Sequence, residues 1–287
     1  MNLSSLLLLL ACQNDSVGDD SASSTVDLDG DGYIEDDCGP NDAGTFPGAP
    51  ELCDGVDNDC DGALAWGEGD ENSDGALDCL SCEAAGYWSA LAASDDPVGT
   101  APSLLEGDAC ASGEYSTVTT WMFERLDAVD DQVECVYTGR VVDVSDGKPD
   151  GSDMNTEHAW PQSQGASEYP ARCDLNHLFP SDAYANGRRG NLPFGEVSSV
   201  DWEQGGSKLG TDSSGTDVFE PRDVSKGDIA RAMLYVNARY DADLWGQQAL
   251  LESWSQADPP SADEIARSLA IGDYQAQANP WVVCPIW

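Results

Sequence analysis

The chain has 287 residues, with 54 Asp and Glu against 12 Lys and Arg, two His, and a formal net charge of −42. That balance excludes a broad basic surface, so any chemistry on phosphates has to rest on a few local cations. Both histidines, His158 and His177, fall between Met154 and Phe194 together with Arg172, Arg188 and Arg189, so imidazole chemistry has one stretch in which to sit.

In chain order, residues 1–11 read MNLSSLLLLLA. The apolar run is too short to cross a bilayer as a helix and fits the core of an export signal. Leu9-Leu10-Ala11-Cys12 resembles a bacterial lipobox. That resemblance implies cleavage before Cys12, lipid attachment to it, and membrane association through that anchor. The expected location is the outer membrane or cell surface, or the extracellular space. Residues 12–26 hold Asp, Ser, Gly and Asn with little to bury, which is the composition of a flexible linker.

Residues 27–82 form a distinct acidic, Cys-rich module; the first 82 residues contain 20 acids and no Lys or Arg. Asp27, Asp29 and Asp31 place oxygens at positions 1, 3 and 5 of a calcium-type loop, with Gly32 at position 6. Cys38 stands where the closing Glu belongs. Asp70, Asn72 and Asp74 repeat the front half with Gly75. So dense a set of carboxylates repels itself without cations, which points to structural Ca²⁺. The block resembles an Asp/Cys-rich metal-binding repeat of secreted bacterial surface proteins.

After Cys12 nine cysteines remain, five in the module (Cys38, Cys53, Cys60, Cys79, Cys82) and four later (Cys110, Cys135, Cys173, Cys284). No second pair with zinc spacing follows Cys79 and Cys82, so structural disulfides in an oxidising compartment are expected. The four later cysteines suffice for two bridges with three connectivities, and one thiol is left over.

Residues 83–287 read as one globular domain with its own core. A helix is expected over Ser116–Leu126, a strand over Val133–Val144, and a polar turn over Asp146–Asp153. The clearest amphipathic helix is Lys226–Tyr240, where Ile229, Met233 and Val236 recur at spacings of four and three.

The site stretch opens with Met154 to Trp160 (MNTEHAW), short and extended, stopped by Pro161. Asp174 to Phe179 is a second short apolar piece. Ser181 is then expected to cap a helix running to about Arg189, with Asn186 inside it and Gly190 near its end. Strand, loop, strand and helix, with an imidazole on the first strand and an amide oxygen on the helix, suit metal-assisted hydrolysis of a phosphodiester.

NTEHAWPQS, DLNHLFPSD and NGRRGNLPFGEV resemble, in order, three motif blocks of the bacterial endonuclease I family, exported nucleases with a ββα-metal (His-Me finger) fold. FEPRDVSKGDIARAMLYVNARY extends the resemblance, which runs from about Tyr137 to Tyr240. It implies an α+β domain hydrolysing DNA, with RNA left open as a substrate; the few cations available for phosphate point to binding without sequence preference. His158 would be the general base, with Glu157 and Asn186 as ligands of one Mg²⁺ or other divalent cation. Family members usually read Asp-Leu-His-His where this chain has Asp174-Leu175-Asn176-His177, so His177 takes a supporting role. Arg172 falls between two motif blocks, where it could bind the scissile phosphate. Arg188 and Arg189 are candidates for backbone phosphates or for bracing the helix. From Met154 to Arg239 there are 12 acids and 8 bases, a net −4, so a local positive patch can survive. The other reading is a calcium-binding surface or adhesion protein whose nuclease domain has lost activity. A monomer is expected in either case.

Overall fold

The computed structural model describes residues 26–34, 36–64, 77, 79–105, 109–111 and 113–284. The export signal, Cys12, and the second acidic loop with Asp70, Asn72 and Asp74 lie outside the described residues. Two compact units emerge, one of residues 1–49 with 58–61, the other of residues 50–57 with 62–287.

The described part of the smaller unit has no regular strand or helix. Its chain is held by turns, by a disulfide between Cys38 and Cys60, and by Tyr33 stacked on Phe46 at 5.0 Å. That is how a segment too polar for a core stays folded.

In the larger unit, helices α1 (Cys79–Ala84), α2 (Trp88–Ala92) and α3 (Pro97–Thr100) lead in, followed by α4 (Tyr115–Trp121). Cys82 is bonded to Cys284, Cys53 to Cys79, and Cys110 to Cys173. The Cys82–Cys284 bridge crosses the expected division between five early and four late cysteines. Among the described residues Cys135 is the free, buried thiol.

The stretch expected as one strand over 133–144 is a hairpin. Strand β1 (Gln132–Glu134) pairs antiparallel with β2 (Val141–Asp143), Val133 opposite Val142. Gly139 takes φ +67° at the reversal, a conformation open to glycine. The turn sends Tyr137 inward, fully buried.

Strand β3 (Met154–His158) pairs antiparallel with β4 (Leu178–Asp182), so Glu157 faces Phe179 and His158 faces Leu178 across the ladder. Helix α5 (Ala183–Arg189) follows β4 directly. Its N-cap is Asp182, one residue later than the expected Ser181. The Asp182 carboxylate accepts from the N–H groups of Tyr184 and Ala185, both at 3.0 Å. Ser181 instead pairs with Asn155 in the ladder and is buried. Arg140 adds a 2.8 Å ion pair to Asp182. Asp182→Ala should therefore cost the fold about 0.5–2 kcal/mol in urea unfolding; an unchanged midpoint would remove the capping role.

Strands β5 (Ser199–Gln204), β6 (Ser207–Thr211) and β7 (Asp217–Glu220) form an antiparallel sheet in that order. Helix α6 (Lys226–Tyr240) has the expected bounds, with Ile229, Met233 and Val236 fully buried. Helices α7 (Gln248–Ala257), α8 (Ala262–Gln275) and α9 (Pro280–Val283) follow among the described residues. The core joins Leu91, Phe123, Leu175, Phe219, Met233 and Leu251. Each such buried side chain contributes roughly 1.5–3 kcal/mol.

Candidate active site

His158 ends β3 and is 6 % exposed. Its Nε2 lies 3.0 Å from the Arg172 carbonyl oxygen. A carbonyl can only accept, so Nε2 carries the proton and Nδ1 keeps a lone pair. The side-chain amide of Gln162 sits 3.3 Å from Nδ1. Burial pushes the imidazole pKa down to about 3, with His177 adding to it and the Arg172 carbonyl opposing it. The ring is neutral at neutral pH, the state a base needs.

His177 is fully buried, and its ring meets His158 edge-on at 5.7 Å. Its Nε2–H donates to the Ala171 carbonyl at 2.6 Å, while Nδ1 has no partner. Burial lowers its pKa, against the opposing pull of Asp174 and the Ala171 carbonyl. An unfolded His titrates near pH ~6.5. Below that pH the unfolded chain binds a proton that the folded chain refuses, so this contribution to stability is lost as pH falls. The slope is at most about 1.4 kcal/mol per pH unit. His177→Gln should flatten the fall of stability between pH 6.5 and 5 relative to wild type; an identical slope contradicts this.

Glu157, next to His158, is 2 % exposed. Its Oε1 accepts from the Tyr137 hydroxyl at 2.7 Å and pairs with Arg189 at 3.3 Å. Among the described residues no donor reaches its Oε2. Burial raises the carboxyl pKa, with Arg189 and Tyr137 pulling the other way. Asn186, on α5, donates its Nδ2 to Asn155 Oδ1 at 2.8 Å and to the Thr156 carbonyl at 3.2 Å. Those two acceptors fix which way the amide faces and leave Oδ1 without a hydrogen bond among the described residues. The helix is thus laced to β3 one residue from Glu157, and two hard oxygens of the kind that hold Mg²⁺ are left over. Both residues fit a divalent cation.

Arg189 is 1 % exposed. Its guanidinium donates to the carbonyls of His158, Ala159 and Gly190 and lies over the Phe194 ring at 4.6 Å. Of the two roles open to it, phosphate contact is closed by burial; it braces the strand under Glu157. Arg188 is half-buried, has no ion pair among the described residues, and its Nε has no partner. Arg172 lies between the rings of Tyr115 at 5.2 Å and Tyr169 at 5.8 Å, with its Nε also unpartnered. The Tyr115 ring in turn stacks on His158 at 5.7 Å. The Cys110–Cys173 bridge ties the approach to α4 to the turn carrying Arg172.

Asn176 points elsewhere. Its Nδ2 donates to Asp174 and to the Gln277 carbonyl. It lines a cavity of about 600 Å³ behind β4 that also takes in Phe179 and Arg267 and none of His158, Glu157, Arg172 or Asn186. The candidate chemistry is outside that cavity.

Tyr137, Gln162 and Tyr115 were not singled out in the sequence. Tyr137 lay inside a stretch read as one strand. Gln162 belongs to the first motif block but carries no titratable group, and Tyr115 comes from a helix 43 residues before His158.

In the smaller unit, Gly30 and Gly32 N–H groups donate to Asp27. Carboxylate oxygens of Asp27, Asp29 and Asp31 lie within 4.8 Å of one another. One buried oxygen each of Asp29 and Asp31 has no partner among the described residues. Cys38, at the closing position, is committed to its disulfide.

The family described as "Putative metal-binding motif" matches residues 37–64. Among curated proteins, the "Extracellular ribonuclease" of Bacillus subtilis (strain 168) is 32 % identical over 157 residues, covering 47 % of this chain and 52 % of that protein. An "Extracellular deoxyribonuclease" of Aeromonas hydrophila is 31 % identical over 110 residues, covering 38 % and 48 %. A "Periplasmic deoxyribonuclease" of Aeromonas hydrophila is 32 % identical over 110 residues, covering 38 % and 46 %. The chain spans about half the length of the curated relatives it matches. The family described as Endonuclease I matches residues 115–286, from the helix of Tyr115 to beyond Cys284 and further at both ends than the motif blocks reach, and the chain belongs to that family.

Proposed function

We propose that this chain is an exported, metal-dependent endonuclease of the ββα-metal (His-Me finger) type, hydrolysing phosphodiester bonds of DNA or RNA without sequence preference. One observation carries the reading: the unprotonated Nδ1 of His158 and the two oxygens left free on Glu157 and Asn186 belong to one strand–strand–helix unit. The extracellular and periplasmic nucleases among its relatives support both the activity and the export.

Nδ1 of His158 takes a proton from a water as its oxygen attacks phosphorus. His158 keeps its orientation through the Arg172 carbonyl, and the Gln162 amide, 3.3 Å from Nδ1, gives way to the water that this lone pair deprotonates. The Arg172 guanidinium, stiffened between two tyrosines, neutralises a non-bridging oxygen, and Arg188 meets a phosphate further along the strand. Glu157 Oε2 and Asn186 Oδ1 would hold a Mg²⁺-type ion, which supplies Lewis-acid stabilisation of the charge on phosphorus and on the leaving 3′ oxygen. The leaving oxygen is protonated from solvent. His177 supports the His158 ring from behind. Few phosphate contacts imply a shallow dependence on salt.

Asn176, in the place of a family His, faces the C-terminal segment and not His158, which favours an active enzyme over an inactive surface protein. In the N-terminal unit Asp29 and Asp31 each offer an unpaired carboxylate oxygen to Ca²⁺, with Asp27, whose oxygens already accept from Gly30 and Gly32, completing the cluster in a structural role. Cys12 offers lipid attachment.

Plasmid DNA and a structured RNA incubated with the protein test the proposal. Cleavage should stop with EDTA and return with excess Mg²⁺. Cleavage that EDTA leaves untouched, or none under any divalent cation, would overturn it.

A further inference from the structure

At 61 % exposure, Tyr184 on α5 is the most exposed aromatic side chain among the described residues. It is not a loose ring on a surface. It meets Trp202 of β5 edge-on at 6.3 Å. Trp202 stacks on Phe219 at 6.1 Å, and Phe219 packs on Tyr137 at 4.7 Å. Tyr137 is the residue whose hydroxyl holds Glu157. A continuous row of rings thus runs from the candidate metal ligand to the surface and ends in one exposed, braced ring.

Arg188 lies four residues beyond Tyr184, on the same flank of α5. In a chain of net charge −42 this cation has no ion pair among the described residues, and its Nε has no partner. An aromatic face beside an unpaired guanidinium matches a nucleobase and its phosphate. Asn186 sits on the other flank of the same helix, whose diameter is roughly 10–12 Å. A base on Tyr184 would therefore be one or two nucleotides from the bond being cut.

We propose that Tyr184, backed by Trp202, is a stacking platform for an unpaired base, with Arg188 on the adjoining phosphate, so that the enzyme prefers single-stranded nucleic acid. The proposal rests on the nuclease reading and extends it to a substrate class. Bases paired inside a duplex cannot reach such a platform, whereas unpaired ones can splay onto it.

The test measures binding without cleavage. Fluorescence anisotropy in EDTA, with the full chain, compares a labelled single-stranded DNA 12-mer with its duplex. Wild type should hold the single strand more tightly. Tyr184→Ala should weaken single-strand binding by about 5- to 100-fold and duplex binding by less than about 2-fold, with Tyr184→Trp restoring it. Equal losses on both probes, no loss on either, or failure of Tyr184→Trp to rescue would overturn the proposal. A parallel assay with Mg²⁺ separates the two readings. If wild type cuts both probes and Tyr184→Ala keeps the wild-type KM on the single strand, the platform is wrong and the nuclease is not. If wild type binds neither probe and cuts neither, both fall.

Discussion

His158→Ala is expected to lower the rate of plasmid cleavage by about 10²–10⁴-fold at neutral pH, the usual contribution of a positioned general base. Three features place that effect on His158. Its Nε2–H is committed to the Arg172 carbonyl, so Nδ1 alone can take a proton. Burial keeps the ring neutral. The other histidine is fully enclosed and spends its own Nε2–H on Ala171, so it cannot substitute. Rates should be compared at saturating Mg²⁺ and at a temperature where circular dichroism finds both proteins folded. A folded variant that cuts within a factor of about three of wild type would remove His158 from the mechanism.

Arg189→Met should cost about 3–5 kcal/mol of folding stability, the penalty for stripping a buried charge of its partner. Glu157 is 2 % exposed and Arg189 1 %, so water cannot reach in to replace the guanidinium. The loss also strips donors from the carbonyls of His158 and Ala159. Combining it with Glu157→Gln removes the stranded charge and should recover part of the loss. Urea unfolding of the two single variants and the pair measures this. A loss under about 1 kcal/mol, or strict additivity in the pair, would contradict a compensated buried pair. On the proposed mechanism, activity should fall in both variants, for Glu157 through its free oxygen and for Arg189 through the seat it gives that oxygen.

Much of this centre was legible in the sequence because it is local. Met154 to Trp160 reads as short and extended with Pro161 behind it, and β3 runs from Met154 to His158. The helix carrying Asn186 was visible from its cap chemistry, misplaced by one residue because Ser and Asp both cap well and only the ladder shows that Ser181 is occupied. Helix α6 was visible from its periodicity. What stayed hidden is non-local. The grip of Tyr137 on Glu157 needs a reversal at Gly139 inside a run of β-branched residues. The Cys82–Cys284 bridge spans 202 residues, and spacing says nothing about such a partner. For Arg189 the sequence leaves phosphate contact and bracing both open, and its burial decides for the brace. The sheet of β5 to β7 has polar, half-exposed strands and little alternation to announce it.

The central claim is that Glu157 Oε2 and Asn186 Oδ1 are left unpaired in order to hold one divalent cation beside His158. A crystal soaked in Mn²⁺ and measured at the manganese absorption edge tests it most directly. The account predicts an anomalous peak about 2.0–2.4 Å from both oxygens, absent in Glu157→Gln crystals. A saturated soak with no peak there, or with the ion on other residues and Asn186 unengaged, would contradict it.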